Sequence, residues 1–106
     1  MSPRVASAVL SVLAVLLAVP VQGQDGPVAE GRRVFRDQGC YGCHLAEGMG
    51  TPIGPDLSRI GARRDQADLA RWLRDPSGHR PGAHMPRLDL TDAEVRALAA
   101  YLASLR

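Results

Sequence analysis

Cys40-Tyr41-Gly42-Cys43-His44 sets two thiols three residues apart and an imidazole directly after the second, and these are the only cysteines in the chain. In that spacing each thiol can add to one vinyl group of a haem while the imidazole reaches the iron, the arrangement of covalent c-type haem attachment. Three other uses of a Cys-x-x-Cys pair fit less well. A zinc site needs two further ligands, and only His79 and His84 remain. A thioredoxin-like pair needs a strand-helix context that the sequence lacks, and a disulfide leaves His44 without a role. A chain of 106 residues with four aromatics (Phe35, Tyr41, Trp72, Tyr101), 11 Gly and 8 Pro is short of apolar bulk. A large apolar group held by Cys40 and Cys43 would complete its core.

Residues 5–19 carry no charge, are almost all Val, Leu and Ala, and follow Arg4. As a helix they reach about 22 Å, short of the roughly 30 Å hydrocarbon core. They are expected to be an export signal occupying residues 1–23, cut near Gly23/Gln24, or kept as an uncleaved anchor if Pro20 and Val21 lengthen the apolar run. Covalent haem attachment, carried out on the outer side of a bacterial membrane, agrees with export to the periplasm. Residues 24–106 then form one domain. All 13 basic residues are Arg against 11 acidic ones, a net charge of +2 that gives no ground for nucleic-acid binding. The arginines concentrate between Leu57 and Leu90, where seven face four aspartates. Taken singly, most are expected to be solvated surface.

Three helices are expected. The first, Pro27 to Gln38, has Pro at its first position, Val28, Gly31, Val34 and Phe35 on one side, and Gly39 at its stop. The second, Asp65 to Arg74, carries the stripe Leu69, Trp72, Leu73 and ends before Pro76. The third begins at the capping box Thr91-Asp92-Ala93-Glu94 and turns Val95, Leu98, Ala99, Leu102 and Leu105 inward. No alternating strand pattern is present. Gly48 to Gly61 and Pro76 to Leu88 are Gly/Pro-rich and too long for tight turns.

Whether the iron has a second protein ligand decides the function. Met85, His84, His79 and Met49 are the candidates. Met49, five residues past His44, is poorly placed to reach the opposite haem face. Met85 lies in a Gly/Pro-rich loop long enough to wrap the ring, stiffened by Pro81-Gly82 and Pro86. His84 is its rival, because imidazole binds iron well, and His79 is expected to be an exposed loop residue.

With these residues in order, the chain from 24 to 106 resembles the class I cytochromes c, and is similar to small bacterial respiratory cytochrome c domains. The resemblance rests on Gly31 and Phe35, Cys40 to His44, Gly54-Pro55-Asp56-Leu57, Trp72-Leu73-Arg74-Asp75-Pro76, Arg80-Pro81-Gly82-Ala83-His84-Met85-Pro86, and the closing helix with Tyr101. It implies an all-α fold: three main helices and Gly/Pro-rich loops wrapped around one covalently attached haem c. It also implies that His44 is the proximal and Met85 the distal iron ligand, and that the Pro55 carbonyl accepts a hydrogen bond from the His44 imidazole. Leu57, Leu69, Trp72 and Leu73 are implied as haem walls. Arg63 matches a position that often pairs with a propionate. Trp72 stands where relatives often have a tyrosine, its N–H free to meet a propionate or the Met85 sulfur. Ala83 departs from the many relatives with a hydroxyl there, so that hydroxyl's propionate bond is missing.

The expected function is one-electron transfer between a reductase or dehydrogenase donor and an oxidase or reductase acceptor, without enzymatic catalysis. The first and third helices are expected to cross at Gly31, with Phe35 and Tyr101 around the contact. Two alternatives remain. One is a haem subunit that works only inside a larger oxidase or dehydrogenase complex, and the other is a sensor or peroxidase-like protein with an open sixth site.

Overall fold

The computed structural model describes residues 26–106, together with Ala14 alone upstream. The expected signal of residues 1–23 and its cleavage point lie outside the described residues but for that one position. Helix α1 (Pro27–Asp37) opens with Pro27 in the first turn, where its missing N–H costs nothing. It stops at Gln38 and Gly39, whose φ of 75° suits glycine and ends the helix in the left-handed region. Helix α2 (Gln66–Arg74) is capped by the Asp65 carboxylate, which accepts the Asp68 N–H at 2.8 Å. After Pro76 a one-turn helix, α3 (Pro76–His79), starts on the Asp75 carboxylate, which accepts the Gly78 N–H at 3.3 Å. His79 is exposed, as expected, but it is helical rather than in a loop. Helix α4 (Asp92–Ser104) carries the expected reciprocal box: the Glu94 N–H donates to Thr91 Oγ1 at 3.1 Å, and the Thr91 N–H to Glu94 Oε1 at 3.0 Å. Among the described residues no helix is long and apolar enough to cross a membrane.

The core lies where α1 and α2 pack on α4. Val95, Leu98, Ala99, Leu102 and Leu105 are all buried, as the inward stripe predicts, and Ala97 and Tyr101 join them. On α1 the buried stripe is Gly31, Val34 and Phe35; Val28, placed on the same side by its spacing, stays 37% exposed in the first turn. Phe35 stacks on Tyr101 with ring centroids 5.5 Å apart and meets Tyr41 edge-on at 4.7 Å, so three of the four aromatics form one cluster. Among the described residues the Tyr101 hydroxyl is buried without a hydrogen-bond partner, and burial pushes its pKa up.

The connecting stretches hold more structure than their composition predicts. Leu45–Ala46 (β1) and Met49–Gly50 (β2) pair antiparallel across Glu47-Gly48. Both turn residues have positive φ, 51° and 76°, the geometry of a two-residue hairpin turn. Arg32 of α1 holds Glu47 through Nε at 3.2 Å and Nη2 at 3.0 Å, tying this hairpin to the core. A 3-10 turn at Ile60–Ala62 docks on the end of α4, where the Gly61 N–H donates to the Leu105 carbonyl at 2.7 Å.

Candidate functional site

Past Gly39 the chain turns through a 3-10 segment, Cys40–Gly42, that brings the two thiols and the imidazole to one end of α1. The Cys43 and His44 N–H groups both donate to the Cys40 carbonyl, at 3.2 and 2.9 Å. Cys40 is partly buried against the core and Cys43 is exposed, and both are free thiols. Burial pushes the Cys40 thiol up to about 11. Among the described residues no three of His, Cys, Asp and Glu gather into a group that could hold a metal ion.

His44 is held from two sides. Its Nδ1 lies 2.7 Å from the Pro55 carbonyl oxygen. A carbonyl only accepts, so Nδ1 carries the proton and Nε2 keeps its lone pair. Gly54 makes this possible: its N–H donates to the Cys43 carbonyl at 2.6 Å, and a Cβ there would stand 2.8 Å from His44 Cε1. Gly50, at φ 108°, passes so close to the His44 carbonyl that a Cβ would reach 1.9 Å. Sequence alone does not single out either glycine for this; the Gly-Pro pair at 54 and 55 is the available signal. Leu57 follows with its N–H on the Leu45 carbonyl at 2.9 Å and stays partly buried.

The second group joins α2 to the loop that follows α3. The Trp72 indole N–H donates to Met85 Sδ at 3.1 Å, so of the two partners expected for it the indole takes the sulfur. Both side chains pack on the core while remaining partly open. Leu69 and Leu73 are buried. His84 is exposed, as are Met49 (53%) and Arg63, which closes the 3-10 turn at Ile60–Ala62. A groove of about 530 Å³ along Leu73, Arg74, Arg87, Leu90 and Val95 includes none of the four donors.

Charge is unevenly matched. Arg32, Arg33 and Arg36 of α1 pair with Glu47, Glu30 and Asp37. Arg59, Arg63, Arg80 and Arg87 have no ion-pair partner among the described residues, which leaves the middle of the chain basic.

A haem c fits this donor set: two free thiols three residues apart, an imidazole whose Nδ1 is engaged so that Nε2 is available, and a thioether that accepts one hydrogen bond from Trp72. Comparison with known proteins agrees. The family described as Cytochrome c matches residues 28–106. Cytochrome c oxidase subunit 2 of Alkalihalophilus pseudofirmus is 36% identical over 86 residues, covering 73% of this chain and 25% of that protein. A nitric oxide reductase subunit of Paracoccus denitrificans is 34% identical over 84 residues, covering 71% of this chain and 56% of the relative. The chain thus spans between a quarter and just over half of these relatives. Among solved structures, the c-type cytochrome SorU from Sinorhizobium meliloti superposes with a TM-score of 0.57 at 27% identity, over 74% of this chain and 90% of that one.

Proposed function

The chain belongs to the cytochrome c family and holds one covalent haem c through Cys40 and Cys43, and on that premise we propose that it is an exported carrier of single electrons with His44 and Met85 as axial ligands of the iron. The observation that carries the reading is the pair of outer hydrogen bonds, Pro55 on His44 and Trp72 on Met85. An imidazole whose Nδ1–H is engaged turns Nε2 to the metal and gains basicity. A thioether that accepts one hydrogen bond keeps a lone pair for coordination.

When bound, the haem supplies a one-electron ferric/ferrous couple, and Met/His ligation raises its potential. The chain's residues do the rest. His44 and Met85 would hold the iron between them and leave it no place for a substrate, so the protein would carry electrons without transforming a bound molecule. Leu57, Leu69, Trp72 and Leu73 exclude water, and Arg63 offers a planar guanidinium to a propionate. The unmatched arginines between Arg59 and Arg87 steer approach to an acidic patch on a redox partner, a reductase or dehydrogenase donor or an oxidase or reductase acceptor, at a rate that falls as salt rises. The protein works on the periplasmic side, membrane-bound only where residues 1–23 stay attached.

Absorption spectra of the holoprotein, oxidised and reduced, with and without carbon monoxide, test this beside Met85→Ala. A weak far-red band that is lost in the variant, with resistance to carbon monoxide in the native protein, supports the carrier. Ready binding of carbon monoxide moves an open-site sensor or peroxidase ahead. The names of the oxidase and reductase relatives favour a second reading, a haem subunit working only within a larger complex. Stable co-purification with large subunits from native membranes distinguishes it from a free carrier.

A further inference from the structure

Trp72 reaches Met85 from a setting built by its neighbours. On α2, Asp68 lies one turn before Trp72 and on the same face. His79 of α3 folds back over that face: its Nε2 is 3.2 Å from Asp68 Oδ1, and its ring meets the indole at 81° with centroids 6.1 Å apart. The Arg80 guanidinium carbon stands 6.0 Å from the centre of the indole. Arg64 and Arg71 hold the same Asp68 carboxylate at 3.7 and 3.4 Å, fixing it in place. An indole has only two side-chain torsions, and here a perpendicular imidazole is packed against the ring whose N–H points at sulfur.

We propose that Asp68 and His79 are positioning residues for the distal iron ligand, acting through Trp72 to keep its N–H on Met85 Sδ. The inference rests on the reading of Met85 as that ligand. A hydrogen bond to the thioether draws electron density from the sulfur, and ferric iron loses more by this than ferrous iron, so the bond raises the potential. Releasing the indole lowers it. Arg64 and Arg71 act one step further out, and the Asp75 carboxylate is engaged at the start of α3.

The test is a double-mutant cycle on the holoprotein, read by midpoint potential and by the far-red methionine-to-iron band. Trp72→Phe removes the hydrogen bond and is expected to shift the ferrous-to-ferric ratio at a fixed solution potential about threefold toward ferric, about 28 mV at 59 mV per tenfold. Asp68→Ala and His79→Ala, both at partly exposed positions, are each expected to change that ratio up to about twofold and to shift the band, with both effects vanishing when Trp72→Phe is already present. A charge acting through space needs no indole. Shifts of the same size in the Trp72→Phe background, or no shift in the native background, overturn the positioning role while leaving Met85 as ligand. If the native holoprotein shows no methionine-to-iron band, the ligand assignment itself fails, and the proposal with it.

Discussion

Gly31 of α1 runs so close to Ala97 of α4 that a methyl group on its α-carbon would stand 2.0 Å from the Ala97 carbonyl oxygen and 2.5 Å from Tyr101 Cβ. Backbone oxygen cannot yield as a flexible side chain can, so Gly31→Ala must move one helix off the other and open the Phe35–Tyr101 stack. Overpacking of this kind costs about 1–3 kcal/mol, and the holoprotein is expected to melt on the order of 5–20 °C lower. Thermal unfolding followed by far-UV circular dichroism checks this. An unchanged Tm would mean that the crossing is loose.

Gly54→Ala acts on the site rather than the core. The new Cβ would lie 2.8 Å from His44 Cε1 and 3.1 Å from Nδ1, so the ring has to turn away from the Pro55 carbonyl. Disturbing an outer partner of a metal-bound histidine typically weakens metal binding or activity about 10–100-fold. Here covalent attachment retains the haem, so the loss is expected in the iron's electronic structure: altered low-spin ferric resonance signals and a lower yield of six-coordinate protein. Signals identical to the native ones would show that the imidazole tolerates the methyl group.

Helices α1, α2 and α4 are legible in the sequence because each announces itself locally, through Pro27 at the start of α1, Asp65 before α2, and the Thr91/Glu94 box of α4. The attachment residues are legible because chemistry demands their spacing. What escapes a reading of the sequence depends on contacts between distant residues or on backbone angles. The β1–β2 pairing is only two residues long and follows from the positive φ of Glu47, Gly48 and Gly50, so no alternation marks it. Helix α3 is a single turn started by Asp75. The pairing of His79 with Asp68 and the docking of Gly61 on Leu105 join segments 11 and 44 positions apart, which no local pattern encodes. The choice of sulfur by the Trp72 N–H likewise depends on the fold.

Acid is expected to weaken the start of α4. The Thr91 backbone N–H on the Glu94 carboxylate holds that group below its ordinary value of 4.5, helped by the Thr91 side chain. A carboxylate whose pKa is depressed on folding contributes stability above its unfolded value and loses it as the pH falls through the folded one. The Tm of the holoprotein is therefore expected to hold down to about pH 5 and to fall below it. Glu94→Gln, whose amide can still cap but does not titrate, should fall less between about pH 5 and pH 3. Equal acid losses in the two proteins would show that the capping box does not persist in solution.

Before haem is attached, the chain is expected to be largely unfolded. Its core is small, and Leu57, Trp72 and Met85 pack against it only partly buried. The two cysteines report on this directly. In the folded arrangement Cys40 is half-buried with its thiol pushed up to about 11, while Cys43 is exposed, so a thiol reagent near neutral pH would modify Cys43 well before Cys40. In an unfolded chain the two are equivalent. Reduced, haem-free protein is expected to be alkylated at both positions at rates within about twofold, with little helical signal. A protected Cys40 accompanied by a native-like helical spectrum would overturn the expectation and mean that the helices assemble without haem.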